Sequence, residues 1–146
     1  MRYLCSQHRS IFTDNPQQAA ESWQAIMLKA RELFHLQEWQ QASVVYGNAF
    51  EISELLLVSR PTRFSVDRYL RSALEFAYVL RKNETQSNLN VLIQHVKNKI
   101  ESIKHSMAVP LLIKPIDEVI NLPIHLADYW MQSLLSLDSI DQRVLH

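Results

Sequence analysis

"QEWQQASVVYGNAFEISELLL" (residues 37–57) contains Gly47, the single glycine of a 146-residue chain, in the middle of what otherwise reads as a helix. Trp39, Ala42, Tyr46, Ala49 and Phe50 recur at three- and four-residue spacing, which places them along one side of that helix. The mixture of sizes has a steric reason. Small residues at Ala42 and Ala49 let a second helix approach closely, while Tyr46 and Phe50 fill the space beside the crossing. Glycine costs a helix interior about 1 kcal/mol relative to alanine, so Gly47 marks a place where something comes too near for a methyl group. The next helix and a ligand backbone are the two candidates.

The neighbouring sequence extends the pattern. Asn15 is placed to cap a helix with Pro16 at its first position and Gln18 three residues after the cap. Ala19, Trp23, Ile26, Met27, Ala30, Leu33 and Phe34 then draw one apolar stripe to about residue 36. A second helix follows from about Glu38 to Val58, and Arg60-Pro61-Thr62 stops it because the residue before proline avoids helical geometry. A third begins near Ser65 or Asp67 and runs to about Lys82, and "NETQSN" supplies a polar turn. In the fourth, Leu89, Ile93, Val96, Ile100, Ile103 and Met107 repeat at heptad-like spacing, which suits packing on a neighbouring helix. Pro110, Pro115 and Pro123 cut the next stretch, with Pro115, Asp117 and Glu118 marking a helix start. Ile124, Ala127, Trp130, Met131, Leu134 and Leu137 outline a final amphipathic helix before a frayed tail.

The series W-x2-A-x3-Y-x2-A-F from Trp39 to Phe50, with Ala30 and Leu33 upstream, resembles one tetratricopeptide repeat over about residues 23–56, with a degenerate second repeat after it. Gln37 stands at the turn where that family favours glycine, Lys29 replaces an apolar residue, and Glu54 stands where proline often closes the repeat. Ala73 and Phe76 are expected to answer Ala30 and Leu33 in a second hairpin. The resemblance implies an all-α fold of antiparallel helical hairpins stacked as a short tetratricopeptide-like array or bundle of five to six helices. One domain is expected over 1–146: a hairpin at 16–58, a second helical pair at 65–107, C-terminal capping helices at 111–137 that bury what an isolated repeat leaves exposed, and a tail at 138–146.

Composition narrows the function. A chain that is 47% hydrophobic and 21% charged falls in the range of folded globular domains. One glycine excludes the phosphate loop, the dinucleotide fingerprint and the nucleophile elbow, each of which needs several. One cysteine forms no internal disulfide, and neither a secretory signal nor a membrane-spanning stretch is legible, so a reducing cytoplasm is the expected location. The net charge is zero, yet residues 60–104 carry nine Lys/Arg against four Asp/Glu, between ends in which acids outnumber bases.

Chemistry-bearing spacings are few. Cys5-x2-His8 has no second pair to complete a zinc site, and Glu32-x2-His35 is half of a carboxylate-bridged two-metal signature. His95 and His105 lie too far apart on one helix to share an ion. No catalytic residue, metal or cofactor is assigned. "SRPTRFSVDRYLR" clusters Arg60, Arg63, Arg68 and Arg71 around Phe64 and Tyr69. The expected function is a non-enzymatic protein-protein interaction module, a small adaptor or chaperone-like scaffold. It takes a peptide or helix, acidic in character, in a groove between hairpins, with Tyr46, Gly47 and Asn48 at the floor and Arg63, Arg68 and Arg71 at the rim. Nucleic-acid binding through the basic 60–104 segment is the alternative, and a metal- or thiol-dependent enzyme a more distant one. Self-association through the heptad seam is also open, and no membrane partner is expected.

Overall fold

A computed structural model describes residues 3–103 and 113–144, and among them the chain is helical and without strands. The helices are α1 (Ser6–Asp14), α2 (Pro16–His35), α3 (Trp39–Ser59), α4 (Arg63–Lys82), α5 (Gln86–Ile103), α6 (Ile113–Asn121) and α7 (Ile124–Val144). None is long and apolar enough to cross a membrane.

Local chemistry accounts for the boundaries. The Asn15 side chain accepts the Gln18 N–H at 3.1 Å ahead of Pro16, satisfying a donor that the first helical turn leaves free. Thr62 and Ser65 cap α4 reciprocally, each hydroxyl accepting the other's N–H at 3.1 and 2.8 Å, a Thr/Ser version of the capping box. Gln37 closes the turn after α2 with φ 58°, and Glu84 closes the turn after α4 with φ 57°. Both turns carry the same hydrogen bonds five residues back, Glu38 N–H to the Leu33 carbonyl and Thr85 N–H to that of Leu80, so both helices end in the left-handed Schellman motif. Each turn sends the chain back along its own helix.

The two hairpins keep one register along the chain. The interval from Pro16 to Arg63 and from Trp39 to Gln86 is the same 47 residues. In that register Ala77 and Leu80 answer Ala30 and Leu33, and all four are buried. This corrects the expected match to Ala73 and Phe76, which aligned stripes of the helices without anchoring them at the turns.

Ala30, Ala42 and Ala49 have no exposed surface, and α3 packs between α2 and α4, the close crossing that their small side chains permit. Tyr46, Tyr69, Phe76, Leu70 and Leu80 fill the surrounding volume. Phe34, Trp39 and Tyr78 form an aromatic cluster across three helices, with ring centroids 5.1–6.0 Å apart. On α5 the deeply buried residues are Leu89, Leu92, Val96 and Ile100, a helical stripe against α4 in which Leu92 is buried more deeply than Ile93. Met107 and Pro110, counted in the sequence pattern, lie outside the described residues.

Three expectations change. Among the described residues seven helices replace five to six, because α1 precedes Asn15: Cys5 caps it, its Sγ accepting the His8 N–H at 3.5 Å. The Cys5-x2-His8 spacing is thus that of a helix cap and its third residue. The expected frayed tail continues α7 to Val144, since after Pro123 no proline or glycine interrupts the helix. Finally, α7 turns Ala127, Met131 and Leu135 inward and leaves Ile124 40% exposed, rotating the buried stripe from the one anticipated.

Candidate functional site

Phe64, Arg68 and Arg71 follow one another at four- and three-residue spacing along α4, and Trp23, Met27 and Arg31 at four-residue spacing along α2. Between these two faces lies a cleft of about 640 Å³. Its walls carry three arginines and two acids, Glu21 and Asp67.

Trp23 is fixed first. Its indole Nε1–H donates to Ser72 Oγ at 2.8 Å, and that hydroxyl donates to the Arg68 carbonyl at 2.8 Å. The Arg68 guanidinium carbon lies 5.4 Å from the centroid of the Trp23 ring and 4.7 Å from that of Phe64, distances at which both π faces attract the cation. Its Nε is buried and meets no acceptor among the described residues. Burial pulls the guanidinium pKa down from its ordinary value but leaves it charged at neutral pH.

The other two arginines are committed to the floor. Glu75 is fully buried; it accepts Arg31 Nε and Nη2 at 2.9 and 2.8 Å, Arg71 Nε at 2.6 Å and the Tyr46 hydroxyl at 2.8 Å. Burial alone would raise the Glu75 pKa, but hydrogen bonds and charge from Arg31, the charge of Arg71 and the Tyr46 hydroxyl outweigh it and hold it below the ordinary carboxylate value. Tyr46 shifts upward, through burial and then the adjacent Glu75 charge.

The residues expected to share one groove lie in separate places. Arg68 and Arg71 line the cleft, while Arg63 is exposed and outside its lining. Tyr46 is buried and reaches the cleft only through Glu75. Gly47 is covered by the ring of Tyr3. Asn48 lines a different hollow, of about 560 Å³, beside Tyr3, Cys5 and His8. Trp23, Arg31 and Glu75 were not singled out from sequence, although a signal existed: Glu75 interrupts the apolar run of α4 four residues after Arg71, and an acid in such company announces buried cations.

The remaining candidates have local explanations. Glu32 pairs with Lys29 at 3.6 Å. His95 meets Glu54 at 2.9 Å, and His105 lies outside the described residues. Among the described residues no three metal-ligating side chains converge. The basic middle of the sequence is largely matched across helices: Lys82 pairs with Asp128 at 3.2 Å, Lys97 with Asp117 at 3.9 Å and Lys99 with Glu54 at 3.2 Å, while Arg81 donates to the Val119 carbonyl at 2.7 Å.

No protein-family model, curated protein or solved structure matches the chain. Its function is therefore read from the cleft.

Proposed function

We propose that this chain is a non-enzymatic interaction module of stacked helical hairpins, and that the cleft between α2 and α4 receives an acidic side chain or terminal carboxylate of a partner protein. The observation that carries this reading is Arg68: a half-buried guanidinium, oriented by Trp23 and Phe64, with no acceptor for its Nε–H among the described residues. Its planar fork matches a carboxylate in a paired hydrogen-bonding geometry. Glu21 and Asp67 in the same walls repel an extended polyanion, which favours an isolated acidic group within a peptide over a nucleic-acid backbone. The tetratricopeptide likeness supports the reading through the crossing residues Ala30, Ala42 and Ala49. The 47-residue interval is longer than the roughly 34 residues of that repeat, so the likeness is one of packing and not of repeat length.

Trp23 makes the cleft observable. A panel of short acidic peptides titrated into the protein should quench or shift Trp23 emission, and a Trp23→Phe variant should lose that response. Arg68→Glu should weaken binding by about a hundredfold, as expected for an anchor in an interface, whereas Arg63→Glu should leave it within about twofold. Equal binding by the Arg68→Glu and native proteins would sink the assignment. A single-stranded oligonucleotide that bound with steep salt dependence, while acidic peptides did not, would establish the nucleic-acid reading instead.

A further inference from the structure

Gly47 has a partner that sequence reading did not anticipate. A methyl group on it would overlap Cγ, Cδ1 and Cδ2 of Tyr3, far closer than van der Waals contact allows. These atoms are the base of the ring, so the side chain cannot swing aside while its backbone is held. The backbone is held by Glu51, one helical turn beyond Gly47. Its carboxylate accepts the Tyr3 N–H through Oε1 and the Leu4 N–H at 3.0 Å through Oε2, and Arg9 approaches Oε2 at 3.6 Å. The far wall is Phe76, edge-on to Tyr3 at 5.5 Å between centroids. Glu51 is 4% exposed, and among the described residues its carboxylate accepts hydrogen bonds from this segment alone.

These features define a receptor: a bare patch of helix backbone that accepts a flat ring, an aromatic wall, and a buried carboxylate that takes two successive backbone amides. We infer that Gly47, Glu51 and Phe76 form a recognition site for an aromatic–aliphatic peptide pair, filled by Tyr3–Leu4 of the same chain, so that an outside peptide of this chemistry binds by displacing the chain's own segment. The ring is selected by the missing methyl, and the backbone direction by the two amides on Glu51. The segment's hold is limited enough for exchange: Tyr3 and Leu4 are half-buried, and the following α1 buries Phe12 alone. This site is separate from the arginine cleft and does not depend on its assignment.

The probe is an acetylated, fluorescein-labelled peptide YLCSQHR, the sequence of residues 3–9, kept reduced, with a second copy carrying alanine in place of tyrosine. Polarisation is measured with the native full chain and with its Tyr3→Ala and Tyr3→Ala/Gly47→Ala variants. Tyr3→Ala should bind the peptide at least about tenfold more tightly than the native chain, as expected for an aromatic anchor. The double variant should fall back to the native level, and the alanine peptide should bind none of them. Equal binding by the native and Tyr3→Ala chains, or of the two peptides, overturns the inference. In case Tyr3→Ala folds poorly, amide exchange of Tyr3 and Leu4 is compared between the native and Gly47→Ala chains. Both amides should be protected in the first and exchange freely in the second; retained protection in Gly47→Ala overturns it equally.

Discussion

Glu75 concentrates the electrostatics of the molecule in one side chain. Removing a partner from a buried, fully paired charge costs about 3–5 kcal/mol, because the groups left behind cannot recover water. Glu75→Gln should lower stability by that amount in urea unfolding, since Arg31 and Arg71 lose their shared counter-charge. The pH dependence follows from the direction of the shift. A carboxylate whose folded-state pKa lies below its ordinary 4.5 contributes stability that is complete above about pH 4.5 and is lost as pH falls through the lower folded-state value. The native urea midpoint should therefore decline as acid is added below that point, and the Glu75→Gln profile should be flatter over the same interval. At this scale the sequence was partly legible. The closeness at Gly47 could be anticipated from the energetic cost of glycine in a helix, but the identity of its neighbour could not. Tyr3 and Gly47 are distant along the chain, and no periodicity links an extended segment to a helix.

The two helical hairpins are closed by a device that sequence composition disguises. Gln37 and Glu84 occupy left-handed conformations, φ 58° and 57°, that cost a side-chain-bearing residue roughly 1–2 kcal/mol. Glycine avoids that strain but is more disordered when unfolded, by about 0.5–1 kcal/mol. Gln37→Gly and Glu84→Gly should each raise stability by on the order of 0.5–1 kcal/mol. Gln37→Pro should destabilise by about 3 kcal/mol or more, since proline cannot adopt φ 58° and removes the N–H donated to the Phe34 carbonyl. Thermal melts of the three variants decide this. Most helix boundaries were readable because capping chemistry is local: Asn15-Pro16, Thr62 and the Arg60-Pro61 stop each act within a few residues. The start of α1 was not, because its cap is a cysteine sulfur and its inward face offers little more than Phe12.

Across the whole molecule, the uneven charge along the sequence becomes complementarity in space. The acidic C-terminal third supplies Asp117 to Lys97 and Asp128 to Lys82, so the basic middle is much less basic once folded. Asp128 also accepts the Tyr78 hydroxyl, and burial, followed by the hydrogen bond and charge of Asp128, pushes the Tyr78 pKa upward. This contact pins α7 to α4. Tyr78→Phe keeps the ring against Phe34 and Trp39 but removes the pin, at a cost of about 1 kcal/mol. Amide exchange in α7 should then speed up by about fivefold while α2 and α3 stay as they were; uniform acceleration throughout would show instead that the helices open together. What the sequence determined by itself was the helical class, the close crossing at Ala30, Ala42 and Ala49, and the main caps, because propensity, side-chain size and capping act over one or two turns. Only the tertiary structure decided the 47-residue register of the hairpins, the sharing of Glu75 between Arg31 and Arg71, and the seating of Tyr3 on Gly47. Those depend on which helix faces meet, a choice made by burial summed over the whole core and carried by no single local stretch.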